Sequence, residues 1–302
     1  MAGAIAMAAA CFGGSAQAQL SFQFDFGTDT GTGFFEPGFG VARQTALTAA
    51  ADSFSSMFDS HFNNTGTIQL SATAGLTGVA SFSNTLLPSG TAGFTVQDVV
   101  KTKLQGGTDL NDATVDGVIN VNFAQSWQLN PGSTPGAGQL DFFGVMYHEF
   151  THALGFYSTI GRDGSPAFGS KAAGEWASFD RFLADRNGTK VVNNADFSLN
   201  QDVWNAASVG GASPANGLFF DGSFASAANG GALVGLYSPS AWLDGSSASH
   251  LDTENLALAG SMMLHSVTSG RTLARDYTAI EVGMFCVTWA TRRAWCPNRR
   301  PG

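Results

Sequence analysis

Two histidines four residues apart, with a glutamate beside the first, give this 302-residue chain its clearest chemistry: His148-Glu149-Phe150-Thr151-His152. On an α-helix, side chains at i and i+4 point within about 40° of one another, so both imidazoles can grip one ion. Glu149 lies one step round the helix, placed to hold a water on the metal without ligating the metal itself. Gly155 follows, a residue free to leave a helix through a backbone region that a Cβ resists. His-Glu-x-x-His on a helix is a zinc-binding arrangement in which the glutamate acts as general base in hydrolysis. Such a short pattern also arises by chance on surface helices, but the flanks argue against chance here. Phe142, Val145, Met146, Phe150, Ala153 and Leu154 recur at helical spacing and call for a half-buried helix, and Asp141 stands ready to cap it.

A catalytic zinc takes three protein ligands and keeps a position for water. Ser158 stands three residues beyond Gly155, and serine is a poor zinc ligand. Four candidates therefore remain for the third ligand: Glu175, Asp180, His250 and His265. Glu175 would bring the ligand from a second helix, Asp180 has an ordinary alternative as a buried ion pair or cap, and the distant His61 reads as structural. Imidazole binds zinc well as a neutral ligand, which counts for His250 and His265 alike.

Residues 148–156, together with Ser249-His250-Leu251-Asp252 and Ser261-Met262-Met263, resemble the leishmanolysin-like branch of the metzincin zinc metallopeptidases. In that family an insertion separates the zinc helix from the third histidine, and a methionine turn follows. The resemblance implies His250 as third ligand and Met263, 13 residues on, as the Met-turn residue beneath the metal. It continues through Gly270 into Asp276-Tyr277-Thr278-Ala279-Ile280-Glu281-Val282-Gly283, which is similar to the family's closing helix and the turn after it. The stretch between Gly155 and His250 carries little motif content, and nothing beyond Phe285 resembles the family. The implied protein is a secreted, zinc-dependent endopeptidase acting on protein or peptide substrates. Its implied fold is an α+β, metzincin-like zincin: a mixed N-terminal sheet with two main helices, an irregular C-terminal subdomain, and the active-site cleft between them. In such a site Zn2+ held by His148, His152 and His250 would make hydroxide available near neutral pH, with Glu149 taking up and passing on the proton.

The elements that must position these residues are readable in outline. Residues 20–26 alternate as a strand, a Gly-rich stretch leads to a helix over 41–58, and a strand follows over 67–72. A short helix is expected over 95–104 and a strand over 117–123, the part from Val118 to Phe123 being a candidate rim to which a peptide adds as an extra strand. Further on, a helix is expected over 174–184, a turn at Asp185-Arg186-Asn187-Gly188, and strands over 217–220 and 232–237. The domain reading is a signal segment over 1–18, an N-terminal subdomain over 19–157, a C-terminal subdomain over 158–285 and a basic tail over 286–302.

Composition bounds the function classes. A net charge of −9 with a pI near 4.8 argues against nucleic acid, which needs a basic footprint. Hydrophobic residues at 44% suffice for a core, while 38 glycines and only 12% charged residues point to many loops. No apolar run is long enough to span a membrane. Ala16-Gln17-Ala18 after an apolar stretch reads as a signal-peptide cleavage site, placing the chain outside the cell or in the periplasm or envelope; lipidation of Cys11 is the rival reading. Cys286 and Cys296 then remain, either as a disulfide or as free thiols. With no cysteine between the signal segment and His148, no cysteine plug on the zinc is expected. The roughly 120 residues before the zinc helix leave no room for a sizeable propeptide. Oligomeric state is not legible. An exported surface or adhesion protein on a degenerate scaffold, and a zinc hydrolase of another bond, are the competing functions.

Overall fold

The computed structural model describes residues 19–58, 62, 64–75, 77–211 and 216–289. The signal segment, His61, Cys296 and the basic tail beyond residue 289 lie outside the described residues.

The N-terminal half is β1 (Leu20–Asp25), α1 (Gly40–Ser56), β2 (Gly66–Ala74), β3 (Ala80–Asn84), α2 (Val99–Gly106), β4 (Gly117–Val121) and α3 (Phe142–Ala153). One mixed sheet runs β1-β2-β4-β3; β1, β2 and β4 are parallel and β3 is antiparallel to β4 at the edge. Alternation does the work expected of it. Ile68, Leu70 and Ala72 on β2 and Ile119 and Val121 on β4 are buried, so the sheet has an apolar face on which helices can pack. Phe150 of α3 lies with its ring 4.7 Å from Phe22 of β1 and 5.4 Å from Phe54 of α1, joining sheet and both long helices in one core.

Two expectations are corrected in this half. The strand after α2 is internal, bonded to β2 on one side and to β3 on the other, so residues 118–123 form no rim of the cleft. That place belongs to β3, whose Ser-rich sequence has weak apolar alternation. The helix α3 is also buried along all 12 of its residues, rather than on one face, because the C-terminal half covers the side turned away from the sheet.

The C-terminal half contains β5 (Phe168–Ser170), β6 (Ala173–Glu175), β7 (Leu183–Ala184), α4 (Gln201–Ala207), β8 (Leu218–Phe220), α5 (Ser223–Ala228), β9 (Val234–Leu236) and α6 (Ala279–Trp289). β7, β8 and β9 form a small antiparallel sheet, and β8 and β9 coincide with the expected strands. The turn at Asp185 is present, closed by Gly188 N–H donating to the Asp185 carbonyl at 3.0 Å. The expected helix over 174–184 is absent. Residues 168–175 form a hairpin instead, and only a 3-10 turn over Asp180–Phe182 follows. Polar side chains take the local hydrogen bonds that a helix would need: Asp180 accepts from its own loop at Ala177 N, at 2.9 Å. The aromatic spacing of Trp176 and Phe179 serves burial in an irregular segment.

α6 packs along α5 at close range, since a Cβ on Gly283 would lie 2.6 Å from Ala225 N. The helix runs straight through Gly283 to Trp289, so the turn expected after the closing helix is not formed, and the subdomain boundary at residue 285 falls within a helix. Cys286 is buried on it; its pairing with Cys296 lies outside the described residues. Among the described residues no helix is long and apolar enough to cross a membrane.

Candidate metal centre

Asp141 fixes where α3 begins. Its Oδ1 accepts from Gly144 N at 3.3 Å as an N-cap and from the Arg275 guanidinium at 2.6 Å, while Oδ2 accepts from Leu273 N at 2.8 Å. One carboxylate thus caps α3 and ties the C-terminal half to it. Gly144 permits this approach, because a Cβ there would come within 2.4 Å of the Leu273 Cβ. At the other end Gly155 adopts φ +87°, a left-handed turn that brings the Phe156 carbonyl back over the last turn of the helix.

The imidazoles of His148, His152 and His250 converge. His250 Nε2 lies 3.0 Å from His148 Nε2 and 3.2 Å from His152 Nε2, although 98 residues separate His250 from His152. Each ring turns its other nitrogen to a main-chain carbonyl: His148 Nδ1 to Met262 at 2.9 Å, His152 Nδ1 to Phe156 at 2.7 Å and His250 Nδ1 to Ser246 at 2.8 Å. A carbonyl accepts only, so each Nδ1 carries the proton and each Nε2 offers a lone pair. Three lone pairs aimed at one another repel unless a cation lies among them. Ligands about 2.05 Å from a tetrahedral zinc stand roughly 3.3 Å apart, close to the two distances found. Carbonyl partners of this kind set tautomer and ring orientation in metal-binding histidines. The three buried histidines can therefore hold a metal ion, and the donor set fits zinc.

Burial keeps the rings in the ligating form. Desolvation lowers His148 to about 4 and His152 to about 3, and takes His250 well below its ordinary value. Glu149 is buried beside them, and desolvation pushes its carboxyl up to about 8; a dication in the cage acts in the opposite sense and favours the carboxylate. A pH dependence follows. Depressed histidine pKa values mean that protons do not compete for the folded cage until the pH falls toward 4, whereas exposed imidazoles would begin to compete near 6.5. Zinc affinity of Glu149→Gln, in which the carboxyl no longer titrates, is expected to stay flat from pH 7 to 5 and to fall below about 4. Competition titrations against a chelator read this directly, and a midpoint near 6.5 would contradict it.

The other sequence candidates have different work. Glu175 accepts from Ser89 N at 2.6 Å, Ser89 Oγ at 2.8 Å and Gly90 N at 2.9 Å. Asp180, fully buried and raised to about 6 by desolvation, accepts from the hydroxyls of Ser158 and Thr159 at 2.7 and 2.6 Å, anchoring the chain just past α3. His265 stacks on Tyr237 with ring centres 3.7 Å apart and bonds Thr253 Oγ1 at 3.1 Å. Met263 is fully buried. Its neighbour Met262 makes the contacts to α3, through the carbonyl on His148 and through its sulfur, which accepts from Thr151 Oγ1 at 3.2 Å.

The cage opens on a cleft of about 960 Å³. Its walls are β3 and the loop before it on one side and the segments around Ser246, Ser249 and Leu264–Val267 on the other, with His148, Glu149 and His152 at the floor. Asn84, at the end of β3, donates from Nδ2 to the His152 carbonyl at 3.1 Å and toward Asp98 at 3.3 Å, pinning the edge strand to α3. Sequence reading missed both β3 and Asn84; neither carries a motif. Comparison of the chain with models of known protein families, with curated proteins and with solved structures finds no match.

Proposed function

We propose that the chain is an exported, zinc-dependent endopeptidase of the metzincin type. The observation that carries this reading is the convergence of three Nε2 lone pairs beside a buried carboxylate at the floor of an open cleft. His148, His152 and His250 would hold the metal. When bound, zinc supplies Lewis acidity toward water and a carbonyl group. Glu149 takes the proton of the attacking water at its carboxylate and returns it to the leaving amine. Burial sharpens that role, since a desolvated carboxylate is a stronger base than an exposed one.

β3 supports a peptide as substrate. Hydrogen bonds from Asn122 N to the Val79 carbonyl and from Thr85 N to the Asp116 carbonyl set the alternation of the ladder. By that alternation the main-chain groups of Ala80 and Phe82 point away from β4, toward the free edge, where an extended peptide can bond to them. Ala80→Pro removes one outward N–H without a ladder bond. It is expected to raise KM for peptides of six or more residues about tenfold, with kcat and zinc content near wild type; an unchanged KM would remove β3 from substrate binding.

The test of the whole reading is metal analysis and casein hydrolysis on the full chain. One zinc per chain is expected, with activity lost to a chelator and restored by zinc. A protein that holds its zinc and cleaves neither casein nor peptides would instead be a scaffold, as an adhesion protein would be.

A further inference from the structure

Glu281 is wholly buried on the first turn of α6, and the proposed chemistry leaves it unused. Part of its work is a capping box. Its Oε2 accepts from Thr278 N and Thr278 Oγ1, both at 2.8 Å, while Glu281 N donates to Thr278 Oγ1 at 3.3 Å. A capping box needs one carboxylate oxygen and is ordinarily satisfied at a helix end facing water. Here the second oxygen, Oε1, accepts from Met263 N at 2.9 Å, 18 residues back in the chain.

That amide belongs to a turn that touches two of the three histidine positions. The Met262 carbonyl, on the other side of the same peptide bond, accepts from His148 Nδ1 at 2.9 Å. The Met263 carbonyl accepts from Leu251 N at 3.0 Å, next to His250. Resting on the metal-binding reading above, we infer that Glu281 is a positioning residue of the cage: through Oε1 it fixes the Met262–Met263 turn, and the turn fixes the ring of His148 and the main chain beside His250. The full burial of the carboxylate follows, because the turn it serves lies inside the protein between α3 and α6.

Two substitutions separate this role from helix capping. Thr278→Ala breaks the reciprocal cap and leaves Oε1 on Met263. Glu281→Gln keeps a single acceptor oxygen; when that oxygen caps the helix, the amide NH2 faces the Met263 N–H, donor against donor. With the full chain loaded with zinc or cobalt(II), Glu281→Gln is expected to weaken zinc binding 10- to 100-fold, the range for lost outer partners of metal ligands, and to shift the visible cobalt absorption. Thr278→Ala is expected to lower the melting temperature while zinc Kd stays within twofold of wild type and the cobalt spectrum is unchanged. Equal effects of both on zinc, or none from either, overturn the inference.

Should Glu281→Gln not fold, the wild type still decides, because coupling between two sites is reciprocal. Zinc loading must then slow hydrogen exchange at the Met263 amide, and unchanged exchange overturns the inference. A chain that binds zinc but cleaves no peptide ends the peptidase reading and leaves each of these measurements interpretable. A wild-type chain that binds no metal ends both.

Discussion

Glu149→Gln is expected to lower kcat/KM by about 10²- to 10⁴-fold, the usual range for a positioned acid–base group, with one zinc per chain retained. At 1.36 kcal/mol per decade this amounts to roughly 3–5 kcal/mol of transition-state stabilisation. The retention of zinc follows from geometry: the three ligating atoms come from His148, His152 and His250, each oriented by its own carbonyl, and Glu149 contributes to none of those bonds. The isosteric amide has the same shape but no basic oxygen. Its effect on stability has a definite sign as well. Burial raises the Glu149 pKa to about 8 from an ordinary 4.5, so in the metal-free protein this group favours folding fully below pH 4.5, and its contribution is lost as pH rises through about 8. Metal-free Glu149→Gln is therefore at least as stable as wild type at pH 9. Steady-state kinetics with metal analysis and thermal melts check all three statements. Turnover above one tenth of wild type would remove Glu149 from the proton path.

The candidate site is more legible in the sequence than the fold around it, for local reasons. His148, Glu149 and His152 are legible because helical periodicity places them, and the same periodicity is strong in the apolar residues that bury α3. Asp141 is legible as a cap, but its bonds to Leu273 and Arg275 join segments more than 130 residues apart in sequence, and no local pattern announces them. His250 could be separated from Glu175, Asp180 and His265 only through a resemblance; the structure separates them by what each side chain touches. The failed helix over 174–184 shows the limit of periodicity, since Trp176 and Phe179 repeat at a helical interval while Asp180 diverts the local N–H groups to its own carboxylate. β3 escaped because Ala80-Ser81-Phe82-Ser83-Asn84 has one large apolar residue. An edge strand beside a cleft needs little more, having one neighbour and an open side.

His250→Ala is the second decisive substitution, and it tests whether two distant stretches of chain make one site. His148 and His152 remain on a rigid, buried helix, yet two imidazoles leave zinc two ligands where a catalytic site uses three. Zinc is expected to be absent from the purified variant and activity lost with it. A thermodynamic signature accompanies the loss: at a zinc concentration 100 times Kd, binding stabilises the folded wild type by about 2.7 kcal/mol, so its melting temperature rises with zinc, whereas that of His250→Ala stays flat. The local fold survives, because the segment is held by its backbone; Tyr237 N donates to the residue 250 carbonyl at 2.8 Å and Leu251 N to the Met263 carbonyl at 3.0 Å, and alanine keeps both bonds. His265→Ala and Glu175→Gln are the controls, and both keep their zinc, since their side chains are engaged with Thr253 and Tyr237 and with Ser89 and Gly90. Zinc bound to His250→Ala with wild-type affinity would mean that another residue completes the cage, and loss of zinc from either control would identify that residue.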